Sequence, residues 1–411
     1  MNSERTARRN PDDIKRAKQK RKIQSTQKTR QRRGIINNFD WVTLGIFGLI
    51  LVISLVVMST ASSSAVEGDP GFYLRRHAFM MSVGFAAFLG FAIYDYRRFK
   101  EWTRIAYIIV NVVLLITLIF GTGDGANRWL FGVQPSEVAK VAMIVLFAAY
   151  LDQNRRHLQD PQCVFRGILY MALPMALIFF EPDLGTTLVF GVIMMVMLYV
   201  AGANRKIVGG IMGFLVGFIA LIFVSLFFYT QHFTVPLEGN IPWIPLKGYQ
   251  LMRLAIFINP EMDAMGAGYH IIQSKIAVGS GGLFGKGYGD GTQVQGNFLP
   301  EHHTDFIFSV IGEEFGFLVT AGIIILLMVF VLRLMRKAFY ARDFYGTLII
   351  SGICSMMLFQ IFENIGMAMG IMPVTGLPLP FFSYGGTSII VNMGAVGLVF
   401  SISLRGRKES R

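Results

Sequence analysis

Long apolar runs separated by short polar breaks set the pattern of this chain. The first run, "WVTLGIFGLILVISLVVM" at 41–58, carries no charge. Its length suffices to cross about 30 Å of hydrocarbon as a helix. Later runs repeat the pattern and predict helices near 40–61, 77–95, 104–121, 137–151, 166–180, 184–201, 207–229, 303–332, 344–370 and 385–404. The expected fold is therefore an all-α polytopic membrane protein with about ten transmembrane helices. The polar breaks orient it. With the N-terminus inside, 30 of the 38 Lys and Arg residues fall on cytoplasmic segments and seven on outer loops. Both termini are accordingly expected in the cytoplasm, and Lys140 falls within a span.

Three regions follow: a tail over 1–38, a membrane domain over 39–404 and a short C-terminal tail over 405–411. Within the domain, 230–302 forms one long extracytoplasmic loop between the seventh and eighth spans, too long for an ordinary connection. Segments 249–260 and 268–279 read as short amphipathic helices at the interface. The glycine-dense "GSGGLFGKGYGDGTQ" (279–293) follows them and delivers the chain to the eighth span.

Composition agrees with this reading. Hydrophobic residues make up 53% and charged ones 15%, where a soluble protein carries about 25%. The net charge of +13 is concentrated, because residues 1–33 hold 13 Lys and Arg against Glu4, Asp12 and Asp13. That tail has no aromatic residue to stack on bases and no apolar periodicity. It reads as a disordered arm resting on anionic lipid headgroups, not as a nucleic-acid binder. Its long charged region and the full span behind it do not fit a signal peptide. Two cysteines, Cys163 and Cys354, offer neither a disulfide framework nor a zinc site.

Unusual chemistry gathers at the outer ends of the spans. In "GNFLPEHHTDFIFSVIGEEFG" (296–316), Glu301, His302, His303 and Asp305 stand at the lip of an apolar run, with Glu313 and Glu314 inside it. An acid in hydrocarbon costs roughly 2.5–3.5 kcal/mol at mid-helix, so something must offset it. Taken as a helix, Asp305 heads a small stripe with Ser309, Gly312 and Gly316, while Glu314 projects to the opposite side. The bland alternatives are a helix-end carboxylate satisfied by backbone N–H groups for Asp305, and bundle-holding acids for Glu313 and Glu314. Adjacent His302 and His303 point apart, and His77, His232 and His270 are the other outer histidines. A divalent cation (Mg²⁺ or Mn²⁺) on carboxylates and a ligand phosphate is thus the candidate metal, with Asp305 as its ligand.

The glycine-dense loop fails both nucleotide patterns, since Ser280, Gly287 and Phe284 occupy positions needing Gly, Ser or Thr, and Gly. It remains compatible with a diphosphate presented by a lipid, held by backbone N–H nests and by Lys286, Lys275, Arg253 and Arg128. "RWLFGVQPSEVAK" (128–140) places Glu137 just inside the fourth span. "EPDLGT" (181–186) carries Glu181 and Asp183, and "GIMPVTGLPLPFFSYGGTS" (370–388) joins the last two spans. Irregular backbone near membrane depth is tolerated where it lines a cavity.

These motifs, in this order, resemble the SEDS family (shape, elongation, division, sporulation), and its rod-shape, RodA-like branch in particular. The stretches "QPSEVAK", "EPDLGT", "YQLMRL", "QSKIAVGSGGLFGKGYGDGTQ", "FLPEHHTDFIFSVIGEEFG" and "NIGMAMGIMPVTGLPLPFFSYGGTS" carry the resemblance, which spans about 40–404. It implies a peptidoglycan glycosyltransferase of the bacterial cytoplasmic membrane. Such an enzyme polymerises lipid II into β-1,4 glycan strands at the outer face during elongation. The implied partners are a class B penicillin-binding protein transpeptidase and membrane proteins of the elongation complex. The family's essential aspartate falls on Asp305. Lipid II carries an α-linked diphosphate, so one inverting displacement with one carboxylate base suffices. Asp305 is then the catalytic base or the cation ligand. Lys286, Lys275, Arg253, Arg128, Glu137, Gln293, His303 and Ser383 are the candidate substrate-binding residues, with Glu181, Asp183, Glu313, Glu314 and Glu363 supporting. A lipid II flippase and a non-catalytic scaffold for the transpeptidase are the alternatives. The former needs Glu313, Glu314 and Glu363 to matter more than Asp305.

Overall fold

The computed structural model describes residues 40–63, 69–122, 128–232, 248–263 and 266–406. The basic tail, residues 233–247 and 264–265 of the long loop and the end of the C-terminal tail lie outside them. The helices are α1 (Trp41–Ala61), α2 (Phe72–Ile93), α3 (Thr103–Phe120), α4 (Pro135–Gln153), α5 (Pro161–Phe180), α6 (Leu184–Val200) and α7 (Arg205–His232). Then come α8 (Gly248–Ile258), α9 (Ala267–Ser280), the single turn α10 (Thr292–Gln295), α11 (Ile307–Phe339), α12 (Phe344–Ala368) and α13 (Gly386–Leu404).

Among the described residues, eight helices are long and apolar enough to cross a membrane. Of the ten expected, α4 and α6 are the two that fall short, for different reasons. α6 has only 17 residues. α4 has 19 but is diluted by Glu137, Lys140 and Asp152. Packing explains how α4 tolerates them: it touches α3, α5, α6, α12 and α13, so nearly every face meets protein. α12 and α13 are likewise mostly buried, whereas α3 and α7 turn most of their apolar surface outward, as lipid-facing helices do.

Acidic caps start several helices. Asp40, Asp183 and Asp343 each accept the backbone N–H three residues on, at 3.0, 3.0 and 2.8 Å. One end of the bundle is laced by ion pairs. Asp40 meets Arg333 (3.1 Å) and Lys337 (2.6 Å), Arg97 meets Asp343 (2.9 Å), and Lys100 bonds to Asp152.

Both short helices of the long loop exist, but they do not lie loose at an interface. α8 packs Leu251 and Ala255 against Ile222 and Leu226 of α7. α9 is embedded, with the Ser274 hydroxyl donating to Ala368 O (2.7 Å) and meeting the Ser309 hydroxyl at 2.6 Å.

The eighth expected span starts later than its hydrophobicity suggests. Residues 300–306 form turns, and α11 begins at Ile307, with Phe306 as an N-cap making no side-chain bond. Asp305 therefore does not head a helical stripe, nor is it a capping carboxylate. α11 also breaks at Gly316 (φ 73°, ψ −177°), and the glycine-dense loop repairs the break. The N–H groups of Lys286 and Gly287 donate to Glu313 O and Glu314 O, both at 3.0 Å. Phe317 N–H donates to Gly282 O (2.9 Å), and Leu318 N–H to Leu283 O (3.2 Å). The glycines are required by closeness: a Cβ at 281 would collide with Gly312 O, and one at 285 with Glu314 O.

Candidate active site

Asp305 occupies the turn before α11, and its backbone is clamped. The Asn364 amide of α12 donates to Asp305 O and to Leu377 O, both at 2.8 Å. One amide thus ties the aspartate to the proline-rich segment 370–385. That segment is irregular, so its polar groups need partners, and neighbouring elements supply them. The Thr375 hydroxyl donates to Glu363, the Ser54 hydroxyl donates to Phe381 O (2.6 Å), and Tyr384 N–H donates to His303 O (2.8 Å). So held, the segment brings Gly376 beside Asp305. A Cβ at 376 would stand 3.3 Å from Asp305 Oδ2, on a backbone of φ +75° that disfavours any side chain.

The Asp305 carboxylate opens into a cavity of about 220 Å³ lined by Arg253, Ile256, His270, Glu301, Phe306 and Val374. Arg253 and Val374 are shared with an adjoining cleft bounded by Pro182, Leu184, Pro373 and Thr375. Among the described residues the carboxylate makes no hydrogen bond or ion pair of its own. Burial, then the charge of Glu301, push its pKa up to about 6, against the pull of Arg253 and Arg128. A carboxyl raised there lies much nearer the proton affinity of a general base working at neutral pH than an ordinary aspartate does.

Around this centre the acids divide by partner. Asp183 is satisfied by Thr186 and by the Gln134 amide (3.2 Å). Glu181 is fully buried with neither oxygen bonded among the described residues, and burial, then Asp183, raise its pKa to about 8. Arg128 donates to Glu181 O (3.4 Å) and to Pro182 O, so its guanidinium holds the 181–183 corner while its field reaches Asp305. Glu363 keeps one oxygen on Thr375, and the other is unbonded among the described residues.

Several residues expected to bind substrate take up other work. Lys286 Nζ pairs with Glu313 at 2.6 Å and contacts Thr292 at 2.7 Å. Glu313 also accepts from Gln293 N–H (2.9 Å) and Val294 N–H (3.2 Å), and Glu314 accepts from Gly289 N–H (3.3 Å) and the Gln295 amide (3.3 Å). The loop read as a diphosphate nest is thus a splice: its N–H groups satisfy α11, and the two glutamates hold it rather than neighbouring helices. Neither Lys286 nor Gln293 lines the Asp305 cavity. Lys275 lies over Gly370 past the end of α12. Ser383 accepts from Leu379 N–H (2.8 Å) and closes a turn. Glu137 is buried in an ion pair with Lys140 at 2.6 Å. His303 stacks on Tyr73 with ring centroids 4.0 Å apart, and burial lowers its pKa to about 4.

Of the expected set, Arg253 alone joins Asp305 in lining the cavity. His270 and Glu301 were seen in sequence but given no role, while Asn364 and Gly376 lie inside motifs whose text does not say which residue meets Asp305. Among the described residues no group of three or more His, Cys, Asp or Glu is disposed to hold a metal.

These features define a multi-pass helical membrane protein with an acid-bearing cavity at one end of its bundle. The model of the FtsW, RodA and SpoVE family, described as "Cell cycle protein", matches residues 37–408, and the chain belongs to that family. Its relatives include the peptidoglycan glycosyltransferase RodA of Treponema pallidum, 34% identical over 90% of this chain and 98% of the relative. The peptidoglycan glycosyltransferase MrdB of Escherichia coli is 35% identical over 91% and 97%. Among solved structures, a chain from a peptidoglycan synthase complex that coordinates polymerization and crosslinking superposes with a TM-score of 0.70, at 27% identity over 89% and 97%. The rod shape determining protein RodA of Thermus thermophilus superposes with a TM-score of 0.62, at 25% identity over 90% and 98%.

Proposed function

We propose that the chain is a peptidoglycan glycosyltransferase that polymerises lipid II at the outer face of the bacterial cytoplasmic membrane during elongation, with Asp305 as its general base. The observation that carries this reading is the Asp305 carboxylate, without a hydrogen bond among the described residues, on a backbone fixed by Asn364 and open to a cavity that also holds Arg253. Names of relatives over nine-tenths of the chain support the reaction class.

The acceptor sugar's 4-hydroxyl loses its proton to Asp305 as its oxygen attacks the donor's anomeric carbon. The bond from that carbon to the diphosphate breaks, and the configuration inverts from α to β. Arg253, at the junction of cavity and cleft, is placed to hold diphosphate oxygens. Were Asp305 to act as a cation ligand instead of as the base, a Mg²⁺ or Mn²⁺ ion would be held by it together with the substrate's own phosphate oxygens, and would supply charge neutralisation at the leaving group. The likeness to a chain of a polymerising and crosslinking complex supports a transpeptidase partner.

The test is a gel of products from labelled lipid II, with and without a cognate transpeptidase that lacks polymerase activity. A glycan ladder that disappears in Asp305→Ala is expected. Lipid II crossing liposomes with no ladder under any condition would replace this reading with the flippase.

A further inference from the structure

We propose that His270 is a second catalytic residue, whose Nε2–H donates a hydrogen bond to the diphosphate oxygen that leaves the anomeric carbon. The inference rests on the glycosyltransferase reading. His270 projects from α9 and lines the cavity together with Asp305, Glu301 and Arg253. Its ring lies nearly parallel to that of Phe306, the residue after Asp305, with centroids 6.2 Å apart and planes 14° apart. The imidazole is therefore positioned by the same turn that positions the base.

Its two nitrogens differ in surroundings. Nδ1 is buried with no partner among the described residues, which leaves Nε2 as the edge turned to the cavity. A sealed, unpaired N–H is rarer than a sealed lone pair, so the hydrogen belongs on Nε2. Burial holds the imidazole below its ordinary pKa, against the opposing fields of Glu301 and Asp263. The ring thus enters the cavity uncharged, as a donor.

Chemistry then chooses the partner. A donor on the attacking hydroxyl would draw density from the oxygen that must attack, and Asp305 already takes that hydroxyl's proton. On the other side of the reacting carbon, the diphosphate oxygen gains the electron pair of the breaking bond. A fixed N–H there strengthens as charge develops, the situation in which one donor is worth about 10²–10³ in rate. His270 keeps its proton throughout.

The test uses the full-length protein in liposomes with lipid II. His270→Phe keeps a ring over Phe306 and removes the N–H. The expected result is a kcat lower by about 10²–10³-fold with KM within about threefold. His270→Gln, which retains a donor, should recover to within about tenfold of the native rate. Undecaprenyl diphosphate, the released product, should inhibit the Phe variant at least about tenfold more weakly than the native protein. Should the Phe variant lose its thermal unfolding transition, His270→Met set against His270→Gln makes the same comparison. A Phe variant at the native rate, or Phe and Gln variants equally impaired with unchanged product inhibition, would overturn the role. A native protein that makes no polymer would instead remove the glycosyltransferase reading itself.

Discussion

At one end of the bundle Asp40, Asp95, Asp152 and Asp343 each face a cation, whereas at the other Asp305, Glu181 and Glu363 face none in the set of described ion pairs. The contrast shows in their proton affinities. For Asp40, burial alone would favour the neutral acid, yet the Lys337 ammonium and the Thr43 hydroxyl and N–H hold it well below the usual carboxylate range. For Asp305 and Glu181 burial prevails. A paired acid adds stability, since its charged form is better solvated by the fold than by water. An unpaired buried acid subtracts stability at neutral pH, which marks it as a candidate for function.

The sharpest way to break this comparison is Asp305→Asn. Polymerisation should fall by about 10³-fold or more, the scale of a lost general base acting in a positioned site. The same change should raise the Tm at pH 7.5. The folded protein holds the Asp305 proton more tightly than the unfolded chain does, so this group's stabilisation is complete below about pH 4 and lost as pH rises through about 6. The Tm advantage of the variant should therefore shrink towards pH 4. A variant less stable than the native protein at both pH values would place Asp305 among the structural acids.

Asn364→Leu should lower kcat by roughly 10–100-fold, because a misplacement of about 1 Å at a reacting group has that consequence. The amide holds Asp305 from behind without lining the cavity, so KM should change little. A variant with native kcat would show that Phe306 and the 300–306 turn position the base unaided.

The pH dependence sharpens the contrast further. In the native enzyme kcat/KM should rise as the Asp305 carboxyl ionises, with its acid limb near pH 6. An acid limb near pH 4 would mean that the carboxylate is paired in solution.

At the opposite end, Asp40→Ala should cost about 1–2 kcal/mol through loss of the cap and the Lys337 bond. Activity per folded molecule should be unchanged. Asp40 is held below its unfolded pKa, so its contribution is present above about pH 4 and disappears on acidification. Only a small effect on substrate affinity is expected from Lys286→Met, which frees Glu313 and loosens the glycine splice but should leave KM for lipid II within about twofold. A tenfold rise in KM would return Lys286 to the substrate.

Much of this was legible in the residues. The helices and the clustering of acids at one end follow from hydropathy and charge, and the choice of Asp305 from the motifs that carry the family resemblance, because these are local properties of the chain. What local properties cannot carry is which groups meet. Lys286 and the glycine loop look like a phosphate nest, since free N–H groups beside a lysine are what a phosphate wants. The break of α11 at Gly316 frees carbonyls nearby that want the same groups, and proximity decides for them. Likewise α4 and α6 look like ordinary spans, although α4 keeps Glu137 and Lys140 only because protein surrounds it.

By itself, then, the sequence determined a multi-pass helical chain, its family and the aspartate proposed as its base. Only the tertiary structure decided that Arg253 and His270 share that aspartate's cavity, that Asn364 clamps it and that Gly376 leaves it room. The reason is physical: apolar periodicity is written along the chain, whereas hydrogen bonds and desolvation depend on which segments the fold brings together.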